Sequence, residues 1–201
     1  MRGPTLSSSS SPGRPRRAET DASIHGAALR LLREGGSRAV TVEAVAAESG
    51  VAKTTIYRRY SDREAVLRAA LTAAIVPPLE PVGETPRDRI RWALGQAWHQ
   101  MSDVLGPGGL ASILSDDDPR FSELFRGVLN PYADALVELI RADIAAGTLR
   151  GGLEPDTVVS LLIGAYLGEL VRRGVVADDF IDRCVDLMWA AMTERPTRGR
   201  R

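Results

Sequence analysis

The chain has 201 residues, 44% of them hydrophobic and 26% charged, with 26 basic residues, 26 acidic residues and one cysteine. That is enough apolar material for one or two domains with real cores, while no run of about 18 apolar residues is present to span a membrane. The lone Cys184 excludes an internal disulfide and points to the cytoplasm, and the basic start leads into Ala-Glu-Thr-Asp where a secretory signal would need its apolar stretch.

The zero net charge is unevenly divided. Residues 1–68 carry twelve Arg and Lys against seven Asp and Glu, a balance of +5; residues 69–192 carry ten against eighteen, a balance of −8; the last nine return +3. A basic front on an acidic body suits a protein that presents one end to DNA.

Residues 1–18 are rich in Ser, Pro, Gly and Arg and cannot bury a face, which predicts a disordered basic arm. Within it Arg14, Arg16 and Arg17 have the spacing of an arm that enters a narrow minor groove. Residues 21–34 form the first helix, with Ile24, Ala27, Ala28, Leu31 and Leu32 inward and Gly35-Gly36 as its stop.

Residues 41–60, TVEAVAAESGVAKTTIYRRY, read as two short helices joined at Gly50. Thr41 caps the first, and Arg38 in the preceding loop can reach a phosphate. The second packs Val51, Ile56 and Tyr60 inward, which turns Thr54 and Arg58 outward, with Thr55 and Tyr57 on the flanks and Lys53, the chain's only lysine, at its start. Hydroxyls, a phenol and cations are what a major groove and its phosphates accept. Residues 61–64 open a fourth helix with a capping box, and Val66, Leu67, Ala70, Leu71, Ala74 and Ile75 continue the core.

The pattern T-V-x-x-V-A-x-x-x-G-V-A-x-x-T-I-Y-R-R-Y-x-x-R-E-A-V-L, within residues 24–71, resembles the DNA-binding signature of the tetracycline-repressor (TetR) family. The resemblance implies an all-α, nine-helix chain, with a helix-turn-helix domain over residues 19–76, a linker over 77–85 and a ligand-binding and dimerisation domain over 86–193. It also puts Arg63 where the family often has a lysine on the DNA backbone. The departure is Ala52, where the family usually has a capping Ser or Thr.

Pro77-Pro78 ends the fourth helix, which is expected to run from the DNA end into the second domain. Thr85-Pro86-Arg87-Asp88 starts the fifth, whose stripe includes Leu94, Ala97, Trp98 and Met101. Gly106-Pro107-Gly108-Gly109 breaks it, and a short sixth helix is expected over residues 110–114. The triplet Asp116-Asp117-Asp118 invites a metal reading, but one cluster without further oxygen ligands suits helix capping better. The seventh helix, residues 120–146, turns Phe121, Phe125, Leu129 and Tyr132 inward and is expected to kink at Pro131. Together with the fifth-helix stripe these residues are the candidate wall of a pocket for a mostly apolar small molecule; a plain packed core is the alternative.

The eighth helix, from Pro155, is apolar on more than one face and includes Leu161, Gly164, Ala165 and Gly168. The ninth, residues 179–193, offers Phe180, Cys184, Leu187 and Met188. The resemblance implies that this pair builds a four-helix homodimer interface. Residues 194–201 are a basic tail expected to be disordered.

Neither His25, His99 nor Cys184 sits in a catalytic pattern, and no glycine-rich phosphate loop is present, so no enzyme, metal or cofactor is expected. The reading is a cytoplasmic transcriptional regulator that represses from a palindromic double-stranded DNA operator and is released by a small-molecule ligand. The alternative is a helical small-molecule binding or sequestering protein without specific DNA binding.

Overall fold

A computed structural model describes residues 13–75 and 82–193. Among them are nine α-helices and no strand. The helices are α1 (Gly13–Gly35), α2 (Val42–Ser49), α3 (Lys53–Tyr57), α4 (Arg63–Ala74), α5 (Pro86–His99), α6 (Gly106–Ser115), α7 (Pro119–Ala145), α8 (Pro155–Arg173) and α9 (Phe180–Thr193). A six-residue π-helical stretch, Gln100–Leu105, extends α5.

The head is built from α1 to α4. Ile24, Ala27, Ala28 and Leu32 of α1 are fully buried, as are Ile56 of α3 and Ala70 and Leu71 of α4. The expected helix at residues 21–34 starts earlier than its periodicity indicates, so residues 13–18 of the expected arm belong to α1. Pro15 does not prevent this, because the first-turn N–H groups have no intrahelical partner to lose. Residues 1–12 and 194–201 lie outside the described residues, as do the side chains of Arg14 and Arg16 and residues 76–81, which include the first part of the expected linker over 77–85.

The body is a bundle of α5 to α9. Thr85 and Asp88 form a reciprocal capping box at α5. Two boundaries differ from expectation. The sixth helix begins at Gly106, not near residue 110: Gly106 takes φ of +58°, and Pro107 follows where its missing N–H costs nothing. At the start of α4 the cap is Asp62, which accepts from Ala65 N–H at 2.8 Å, while the Ser61 hydroxyl donates to Asp62. Pro131 lies within a continuous α7.

Head and body meet closely. The end of α1 lies on the start of α6 with so little room that a methyl group on Gly108 would come within 2.6 Å of Gly36 N and 2.7 Å of the Leu32 carbonyl. Polar groups close the seam: Ser37 N–H donates to Ser112 Oγ at 2.9 Å, Ser37 Oγ to Asp118 at 2.8 Å, and Arg33 to the Asp103 carbonyl at 2.7 Å. The head is therefore joined to the body through α1 and α6 as well as through α4, which packs on α7.

Candidate nucleic-acid interface and ligand cavity

The reading head follows from local chemistry. Thr41 Oγ1 accepts Ala44 N–H at 3.0 Å to cap α2, and Gly50 ends that helix at φ of +70°. A left-handed residue there aims the chain into α3 without the steric cost a side chain would incur. α3 has only five residues, and Ala52 supplies no side-chain cap. It is held from below by the fully buried Ile56 and from its C-terminal side by a network on α1. There Arg59 donates to Asp21 at 2.7 Å, and the Tyr60 hydroxyl lies 3.1 Å from the same carboxylate and 2.9 Å from His25 Nε2. Burial first, and the Asp21 carboxylate second, push the Tyr60 hydroxyl up to about 12. Burial also lowers His25, against the opposing pull of Asp21.

With that face fixed, Lys53, Thr54, Tyr57 and Arg58 are exposed and Thr55 is half-buried. Lys53 pairs with Glu43 at 3.1 Å, both side chains being more than half exposed. Such a surface pair is weak enough for a phosphate to displace it. Arg17 is exposed on α1.

Arg38 and Arg63, expected at the DNA backbone, have partners within the chain. Arg63 donates to Asp118 at 2.6 Å and to the Ser37 carbonyl at 3.0 Å, and Arg38 donates to the Asp117 carbonyl. Both lie beside the loop between α6 and α7, with the Arg38 side chain still 66% exposed. Asp118 also caps α7, accepting from Phe121 N–H. Burial alone would raise its carboxyl, but Arg63, Ser37 and the Phe121 amide together outweigh this and hold it below the ordinary 3.8.

In the body, a cavity of about 300 Å³ lies between α5, α7 and α8. Ala97, Met101, Phe125, Leu129 and Tyr132 belong to its wall, together with Trp92, Gln96, Gln100, Arg126, Leu139 and Ile163. Leu94, Trp98 and Phe121, expected in the wall, are outside it. Leu94 is fully buried in the core, and Phe121 stacks on Phe125 with ring centres 6.2 Å apart. Trp98 ties three helices together: its indole N–H donates to the Leu162 carbonyl at 3.2 Å, and its ring packs against Tyr166 and Phe180. Gln100 was missed because an apolar stripe omits polar residues, although it lies three residues beyond Ala97, on the same helical face.

The candidate dimer residues divide in a similar way. Leu161 and Leu187 are 57% and 74% exposed, and a methyl on Gly164 or Gly168 would meet open space. Ala165, Cys184 and Met188 are half-buried. Phe180 turns inward under Trp98, with the Arg183 guanidinium over its ring.

Residues 24–70 match the family described as "Bacterial regulatory proteins, tetR family", and residues 80–188 match "Tetracyclin repressor-like, C-terminal domain". The chain is 29% identical over 177 residues to the "Uncharacterized HTH-type transcriptional regulator YdeS" of Bacillus subtilis, which covers 83% of this chain and 86% of that protein. The fold is similar to that of the fatty acid degradation regulator FadR from Bacillus halodurans (TM-score 0.68, 16% identity, 88% of this chain and 97% of that one). It is equally similar to FadR from Bacillus subtilis, solved in complex with stearoyl-CoA (TM-score 0.68, 17% identity, 85% and 98%). With family matches to both the head and the body, the chain belongs to the TetR family of bacterial transcriptional regulators, which are not enzymes.

Proposed function

We propose that this regulator is a cytoplasmic repressor that binds a palindromic operator as a homodimer and leaves it when a small, mostly apolar molecule occupies the cavity between α5, α7 and α8. The observation that carries the reading is the run of α7 from the head to the cavity. Its cap, Asp118, grips Arg63 of the head, and Phe125, Leu129 and Tyr132 wall the cavity about 10 to 20 Å further along the same helix. A ligand that moves this wall moves the grip on the head. It shifts the equilibrium only by its preference for the conformation that misplaces the two heads, since equal affinity for both states shifts nothing.

Dimerisation is supported by the exposed Leu161, Val171 and Leu187 beside the open glycine pair of α8.

The test is operator affinity, measured on fragments selected by the purified protein. Arg58→Ala is expected to lose about 1 to 3 kcal/mol of specific affinity and Thr54→Ala to change base preference. Ala97→Phe, which fills the cavity, is expected to keep dimer and operator binding and lose the ligand response. Retention of sequence-specific binding by both α3 variants would sink the reading face, and absence of sequence preference in the wild type would leave the sequestering protein as the better reading.

A further inference from the structure

The exposed face of the head carries a carboxylate among its cations and hydroxyls. Lys53, the first residue of α3, is held by Glu43 from the first turn of α2, with Nζ 3.1 Å from Oε1 and both side chains more than half exposed. Elsewhere in the head Glu48 pairs with Arg30 between α2 and α1, Glu64 with Arg68 within α4, and Asp21 with Arg59 beyond the end of α3. Among the described residues Glu43 is therefore the one carboxylate in an ion pair with α3 itself. The hydrogen bond from Lys53 holds the Glu43 carboxyl below its usual range, so near neutral pH it is purely an acceptor.

A carboxylate beside a DNA-facing cation has two consequences. Against a phosphate it is a handicap, because Lys53 can turn to the backbone only by leaving Glu43, whose charge then stands unpaired beside other negative charges. Against a base pair it is a match. At the major-groove edge of a G·C pair, guanine N7 and O6 accept and the cytosine N4 amino group next to O6 donates. An ammonium and a carboxylate already in contact present the complementary donor and acceptor side by side, and lysine on guanine and glutamate on cytosine are the pairings that geometry favours. An A·T pair offers the ammonium a single thymine O4 flanked by a methyl group. The first residues of a recognition helix are the ones that reach base edges, which is where Lys53 stands.

Resting on the reading of α3 as the helix that enters the major groove, we propose that Glu43 is a specificity-determining residue: the Glu43–Lys53 pair reads one G·C pair in each half-site, Lys53 donating to guanine and Glu43 accepting from cytosine. Discrimination then has two sources, an attraction at the matching base pair and a penalty wherever Lys53 must leave its partner for a phosphate. A plain surface pair would instead support α2 through the helix dipole and add nothing to base choice.

The test selects duplexes from a randomised pool with the purified full chain, then measures affinity for the selected operator and for a scrambled duplex between about 50 and 200 mM salt. Wild type is expected to select a G·C pair whose choice is lost in both Glu43→Gln and Lys53→Gln. Glu43→Gln is expected to weaken operator binding about three- to tenfold per half-site and to tighten binding to scrambled DNA about two- to fivefold, with a salt slope there steeper by about one. Lys53→Gln is expected to lose the same preference without tightening scrambled binding. Glu43→Asp keeps the charge at the helix start but is one methylene too short to reach both Lys53 and a base, so it is expected to lose the preference while melting like wild type. If Glu43→Gln leaves the selected sequence and the ratio of the two affinities unchanged, or lowers both affinities alike, or if wild type selects no G·C pair that depends on Lys53, the assignment fails. Should it fail while Arg58→Ala and Thr54→Ala still alter selection, the reading face stands without Glu43. Should none of these variants alter selection, the reading of α3 falls with it.

Discussion

The seam between head and body and the cavity between α5, α7 and α8 are built in opposite ways. At the seam, Gly36 and Gly108 bring two backbones together with no space for a methyl group, and Ser37, Ser112, Arg63 and Asp118 are linked by hydrogen bonds, with Arg63 Nε left buried and unpaired. At the cavity, apolar walls stand apart and two polar atoms are left without partners. A tightly packed contact transmits displacement because it has no slack. A loosely filled one leaves the room that the proposed ligand needs. The contrast teaches that within one body a rigid joint and a receptive space can share a single helix, α7.

The contrast breaks most visibly at Gly108. Gly108→Val drives side-chain atoms into Gly36 N and the Leu32 and Arg33 carbonyls, none of which can move without moving α1. The expected cost is about 3 kcal/mol, at the upper end of overpacking effects, and thermal unfolding should fall by roughly 6 to 12 °C. Gly127→Ala in α7 is the control: a methyl there meets nothing within 4 Å, so stability should rise by up to about 1 kcal/mol. Equal responses at the two glycines would remove the argument for a tight seam.

The next largest effect is expected at Asp118. Asp118→Ala removes the α7 cap and leaves Arg63 and Ser37 without their partner, together about 2 kcal/mol after allowing for the part-exposed Arg63. The pH dependence has a definite sign. The folded carboxyl titrates below its ordinary 3.8, so its contribution is present in full above that value and is lost as pH falls through the lower folded pKa. Denaturant melts of wild type and Asp118→Ala should therefore converge as the pH drops below about 4. Curves that stay parallel down to pH 2 would show that the carboxylate's charge is not what holds the seam.

The smallest effect sharpens the other side. Tyr132→Phe deletes a hydroxyl that has no partner, so stability should be unchanged or higher by less than about 1 kcal/mol. A loss of 2 kcal/mol or more in chemical denaturation would mean that the hydroxyl is already satisfied in solution.

Much of this was legible in the sequence because it is local. Thr41, Thr85 and Pro155 announce helix starts by side-chain or ring chemistry that acts within four residues, and the outward set Thr54, Tyr57 and Arg58 follows from the burial of one neighbour, Ile56. The arm was misread at residues 13–18 because Arg, Pro and Gly describe a disordered composition equally well as the first turns of a helix anchored downstream by Ile24 and Leu32. The partner of Arg63 was out of reach for a different reason. Asp118 lies 55 residues away, and only the docking of α6 against α1 brings the two together. Trp98 and Phe121 share the stripe periodicity of Ala97 and Phe125, and period alone cannot distinguish an apolar face that packs from one that stands back.

The missing cap at Ala52 bears on how sensitive the switch is. A recognition helix of five residues without a side-chain cap is ordered less firmly before DNA arrives, so part of the binding free energy goes into ordering it. A serine or threonine there would restore about 1 kcal/mol, roughly a five-fold gain in operator affinity. On the proposed mechanism that gain moves the concentration at which ligand releases DNA upward by a similar factor, with no change in the cavity. If the proposed ligand acts through the cavity, the dose at which it releases DNA is then set partly by a methyl group far from where that dose is sensed.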